Sequence, residues 1–91
     1  MTIGKRVVYS GRVQGVGFRY TAQHLAAGYA VAGYVRNLPD GDVELVAEGE
    51  ADEVQRFLDS VADQMAGCIR DHTIHDEPTT GHETFRILPT P

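Results

Sequence analysis

The segment Gly11-Arg12-Val13-Gln14-Gly15-Val16-Gly17-Phe18-Arg19 carries three glycines and two arginines between a β-rich stretch, Val7-Val8-Tyr9-Ser10, and an amphipathic one. Glycines let a backbone turn tightly enough to point several N–H groups inward. Such a nest at a helix start attracts an anion through unpaired donors and the helix dipole. Arg19 falls in the first turn of the expected helix, where its planar fork can hold two phosphate oxygens. Glycine loop, helix start and arginine together read as a phosphate cradle. The plainer reading is a tight strand-to-helix connection followed by an exposed arginine. The common nucleotide loops do not fit. GxxxxGK[ST] is absent, since the one Gly-Lys pair, Gly4-Lys5, is followed by Arg6, and GxGxxG fails because Tyr20 follows Gly15-Val16-Gly17-Phe18-Arg19. Asn37, just before Pro39-Asp40-Gly41, is by itself most simply a turn residue tied to its own backbone.

Other reactive residue types organise less well. His72 and His75, three apart on an expected strand, point to opposite faces and cannot share a metal. His24 and His82 read as solvent-exposed. Cys68 reads as a quiet, partly buried thiol with no flanking base. Asp52 and Glu53 stand at a helix start, where the dipole accounts for them. Tyr9, Tyr20, Tyr29 and Tyr34 read as core or half-buried residues.

The elements follow from period and punctuation. A strand is expected over about Arg6 to Arg12. Phe18, Ala22, Leu25, Ala26 and Tyr29 then form one face of a helix, with Gly28 as its left-handed cap. A strand over Val31 to Leu38 places Val31, Gly33, Val35 and Asn37 on one face. Pro39-Asp40-Gly41 turns the chain into a strand over about Asp42 to Glu48, in which Val43, Leu45 and Ala47 alternate with Glu44, Val46 and Glu48. Val54, Phe57, Leu58, Val61, Ala62 and Met65 stripe a second helix behind Glu50, Asp52 and Glu53. Weaker strands fit Ile69 to Asp76 and Glu83 to Leu88. The order β-α-β-β-α-β with an extra C-terminal strand predicts a ferredoxin-like α+β sandwich, an antiparallel sheet with both helices on one face. Many functions use that fold.

Ninety-one residues read as a single domain, residues 1–91, with 42% hydrophobic and 23% charged residues. One cysteine forbids an internal disulfide and a cysteine-based zinc or iron–sulfur site, and suits a cytoplasmic protein. There is no signal-peptide pattern, and the longest uncharged apolar run, Leu25 to Val35, is about half of what spans a bilayer, so no membrane role is expected. The net charge of −5 is unevenly spread. Lys5, Arg6, Arg12, Arg19 and Arg36 lie in residues 1–39 with no acid, and all thirteen Asp and Glu follow Pro39. That distribution argues against general nucleic-acid binding and for a small-anion site with a local positive mouth, to which Arg12 and Arg36 are expected to contribute.

Val13-Gln14-Gly15-Val16-Gly17-Phe18-Arg19, then Gly33-Tyr34-Val35-Arg36-Asn37, then Asp40-Gly41-Asp42-Val43, closely resemble the acylphosphatase family, over nearly the whole chain to Phe85-Arg86-Ile87. The resemblance implies a small, metal-independent and cofactor-free enzyme that hydrolyses acyl phosphates to a carboxylate and inorganic phosphate. It implies that Arg19 binds the phosphate, that the backbone of Gln14, Gly15, Val16, Gly17 and Phe18 forms the phosphate loop, and that Asn37 positions the attacking water. It implies a small-molecule substrate, phosphate as product and competitor, and no nucleic acid or membrane partner. A monomer is expected. Tyr34 stands where the family commonly has tryptophan, and Met65-Ala66-Gly67-Cys68 replaces a Gly-Pro-rich link. The alternatives are a non-catalytic phosphate-sensing or assembly domain, which the absence of any fused segment after Pro91 disfavours, and an RNA-recognition module. The latter would need the Gly-aromatic signature on a central strand rather than in a loop.

Overall fold

Val7 and Tyr9 alternate with Val8 and Ser10, and this period-2 pattern forms the central part of β1 (Thr2–Gly11). The computed structural model, which describes all residues from Met1 to Pro91, continues with α1 (Phe18–Ala26), β2 (Val31–Asn37), β3 (Val43–Glu50), α2 (Ala51–Gln64), β4 (Ile69–Asp76) and β5 (Phe85–Ile87). The sheet order is β4-β1-β3-β2-β5. β1 starts four residues earlier than periodicity alone suggests, because β3 pairs with it antiparallel from Thr2 onward and β4 joins on the other side from Lys5.

Val7, Leu45 and Val35 are paired across β1, β3 and β2 and are essentially buried, forming the centre of the helix-facing layer. Phe18, Ala22 and Ala26 of α1 and Val54, Phe57, Leu58 and Val61 of α2 close over it in one core. Ala62, expected in the α2 stripe, is exposed at its margin. The Phe57 ring meets Phe85 edge-on at 5.3 Å, which ties α2 to the last strand.

Five expectations are corrected. The sheet is mixed, because β5 pairs parallel with β2 after the chain has crossed from one sheet edge to the other. α1 ends without a left-handed glycine: Gly28 is not in that region, and Gly28 and Tyr29 donate back to Leu25 and Ala26 in tight i to i−3 bonds. Tyr20 is exposed, lying off the Phe18–Ala22–Ala26 face. β3 is buried on both faces, since the crossing segment between β4 and β5 lies over its charged side. There Glu48 accepts from the N–H groups of Thr80 (2.9 Å) and His82 (2.5 Å). His82 is therefore half-buried, its ring edge-on to Tyr34, rather than solvent-exposed. No helix is long and apolar enough to cross a membrane.

Candidate active site

β1 leaves the sheet through a register shift at Ser10/Gly11, where the N–H of Arg12 donates to the Cys68 carbonyl at 2.9 Å. From there to α1 the chain turns through left-handed conformations at Gly15 (φ 73°) and Gly17 (φ 81°). A Cβ at either position would meet no atom within 4 Å, so the backbone conformation and not space demands glycine. Gly17 caps α1, and its carbonyl takes the first helical bond, from Thr21 N–H at 2.9 Å. From Val13 through Tyr20 no backbone N–H donates to an acceptor within the protein. A row of free donors around a helix N-terminus is the geometry that binds an oxyanion.

The predicted residues divide clearly. Gly15, Val16 and Gly17 are exposed at the loop. Phe18 contributes only its backbone there, for its ring is buried 4.9 Å from that of Tyr9. Arg19 is half-buried in the first turn of α1, with no carboxylate and no hydrogen-bond acceptor of its own. Gln14 does more than sequence reasoning assigned it. Its side-chain amide donates to the carbonyls of Leu38 and Asp42, both at 2.8 Å, and so joins the loop to the β2–β3 hairpin. Long-range hydrogen bonds of this kind leave no local signal in a sequence.

Asn37 is the last residue of β2, paired with Val43 and on the same face as the buried Val35. Its Oδ1 is buried and has no hydrogen-bond partner. The role of turn residue belongs instead to Asp40, whose carboxylate accepts from Asp42 N–H at 2.9 Å, while Gly41 N–H closes the turn onto Leu38. A buried amide oxygen without a partner costs roughly 1–3 kcal/mol. Such unpaired groups are disproportionately functional.

Arg36 does not contribute to this site. As the neighbour of Asn37 along a strand it points to the opposite face, where its Nε donates to Glu44 at 2.6 Å. Arg6 holds the other oxygen of the same buried carboxylate at 2.6 Å, and Lys5 pairs with Asp76 at 2.5 Å. Of the five cations in residues 1–39, only Arg12 and Arg19 lack a carboxylate partner. The positive mouth is narrower than the sequence suggests. Burial pushes the Tyr9 phenol well above its ordinary pKa, so it stays protonated and neutral at physiological pH and cannot serve as a base. The largest concavity, about 490 Å³ between Arg12, Asp42 and Arg70, lies beside the loop and includes neither Arg19 nor Asn37. Backbone donors can hold a small anion on a shallow surface, so cavity size is no guide here.

An α+β sandwich with a free-amide loop at the end of its first strand, an unpaired arginine and a buried, unpartnered asparagine oxygen defines a class of small anion-handling domain. The family model described as Acylphosphatase matches residues 5–87. An acylphosphatase of Methanospirillum hungatei is 41% identical over 87 residues, covering 91% of this chain and 96% of that protein. One of Methanothrix thermoacetophila is 42% identical, covering 97% and 99%. The crystal structure of acylphosphatase from Bacillus subtilis superposes with a TM-score of 0.84 at 35% identity, over 97% of this chain and 99% of that one. The chain belongs to the acylphosphatase family.

Proposed function

We propose that this chain hydrolyses acyl phosphates to a carboxylate and inorganic phosphate, with the free amides of Gln14 to Phe18 and the Arg19 guanidinium holding the phosphoryl group and Asn37 orienting the attacking water. The observation that carries the reading is the buried, unpartnered Oδ1 of Asn37 on the hairpin joined to a loop of unpaired N–H donors. Water attacks phosphorus as the bond to the acyl oxygen breaks. The carboxylate leaves with the bonding electrons, and the water's protons pass to solvent and to the phosphate oxygens. The transition state of phosphoryl transfer is loose, so catalysis is mostly positioning and charge stabilisation. A carboxylate is a weakly basic leaving group and needs no general acid. An amide carbonyl is too weak a base to take the proton outright, but it can accept a hydrogen bond from water and aim it in line with the leaving group.

The reaction needs no metal in this reading. The lone, half-buried Cys68 thiol suits the reducing cytosol. Charges along the exposed β4 edge, at Arg70, Asp71 and Asp76, oppose strand-to-strand association and favour a monomer. The test is turnover of acetyl phosphate in EDTA. We expect activity there, competitive inhibition by phosphate, and a fall of roughly 10²–10³-fold in kcat/KM for Arg19→Ala. Undiminished turnover by Arg19→Ala would remove the assignment of that residue.

A further inference from the structure

We infer that the Gln14 side chain is a positioning residue for this reaction: it holds the phosphate loop and the strand end carrying Asn37 in one fixed relation. The inference rests on the site assigned above and adds a role that does not involve touching substrate. The two acceptors of the Gln14 amide flank the critical pair. Leu38 follows Asn37, and Asp42 precedes Val43, the cross-strand partner of Asn37. Each carbonyl already takes one backbone bond, Leu38 from Gly41 N–H at 3.2 Å and Asp42 from Leu38 N–H at 2.8 Å. Gln14 supplies the second bond to each, using both protons of one NH₂ group. Because both partners are acceptors, the amide can face them in only one sense.

No other hydrogen bond links residues 13–17 to the hairpin turn. The loop amides would fix where phosphorus sits, and the hairpin would fix where the water oxygen sits. The in-line approach therefore depends on a bridge that neither element contains by itself. Asparagine is one methylene too short to span both carbonyls. Glutamate presents acceptors to acceptors until it is protonated. Misplacement of reacting groups by an ångström can cost about a hundredfold in rate, so the bridge acts on kcat.

The experiment compares the wild-type protein, Gln14→Met and Gln14→Glu with acetyl phosphate as substrate and inorganic phosphate as inhibitor. For Gln14→Met the expected result is a fall in kcat of roughly ten- to a hundredfold, with the phosphate inhibition constant within about threefold of wild type. For Gln14→Glu, kcat relative to wild type should rise as pH falls from about 7 toward 4.5, as the neutral carboxyl regains one donor. That profile holds even if Gln14→Met folds poorly. Equal losses of kcat and phosphate affinity, unchanged kcat in a folded Gln14→Met, or a flat relative profile for Gln14→Glu would each overturn the inference. No turnover by the wild type would instead sink the functional reading, and this inference with it.

Discussion

At the scale of single residues, Asn37 and Arg19 are separable by what each can contribute. Arg19→Ala should weaken phosphate inhibition together with turnover, because a guanidinium without a carboxylate partner would serve a bound anion in ground and transition states alike. Asn37→Ala should lower kcat by roughly 10²–10³-fold while leaving phosphate inhibition close to wild type. It should not lower the melting temperature, since the substitution removes a buried oxygen that no protein group satisfies. Kinetics and a thermal melt on one preparation check both halves, and a large loss of stability would contradict the second. Gly17→Ala is the backbone counterpart. The open space around it admits a methyl group, but φ 81° costs a non-glycine residue about 1–2 kcal/mol.

At the scale of elements, the parallel β5 has a consequence for β3. To reach β2 from the far edge, the chain must cross the face of the sheet away from the helices, and Glu48 fastens that crossing by accepting from Thr80 and His82. Glu48→Ala should leave those amides without an acceptor. Faster amide hydrogen exchange over residues 79–84, with β1 and α2 protected as before, is the expected outcome. Uniform loss of protection would show instead that the crossing belongs to the cooperative core. The alternation in β3 identified its core face correctly. It could not reveal that Glu44, Val46 and Glu48 are also buried, because Glu48 is held by Thr80 and His82, more than thirty positions away, and Glu44 by arginines of the two flanking strands.

At the scale of the molecule, charge is organised by face rather than by position along the chain. Arg6 and Arg36 neutralise Glu44 on the face opposite the helices. Arg36→Gln should therefore cost stability, about 1–3 kcal/mol by chemical denaturation, and leave phosphate inhibition unchanged. Arg12→Gln should do the reverse, weakening phosphate inhibition modestly and more at low salt. The same carboxylates set the response to acid. Burial works against ionisation of Glu44 and Glu48, but the Arg6 and Arg36 guanidiniums, and the Thr80 and His82 N–H groups, outweigh it and hold both pKa values below the ordinary carboxylate range. A pKa depressed in the folded state stabilises it above the unfolded pKa, and that stability is lost as pH falls through the folded one. Denaturation midpoints should thus be flat from neutrality to about pH 5 and decline below it.

Local residue chemistry determined the elements and the two motifs: free-amide loops come from glycine spacing, helix stripes from a 3.6 period, and a hairpin from Pro39-Asp40-Gly41. These are short-range matters, and β4 was legible residue for residue from Ile69 to Asp76. Tertiary structure alone decided which cations remain free, since pairing depends on the facing strand. It decided the parallel last strand, because a three-residue element has too little pattern to declare its neighbour. It also decided that Gln14 reaches the hairpin and that Asn37 keeps an unpartnered oxygen. Both depend on which carbonyls come within about 3 Å once distant segments pack, a distance that no one-dimensional spacing encodes.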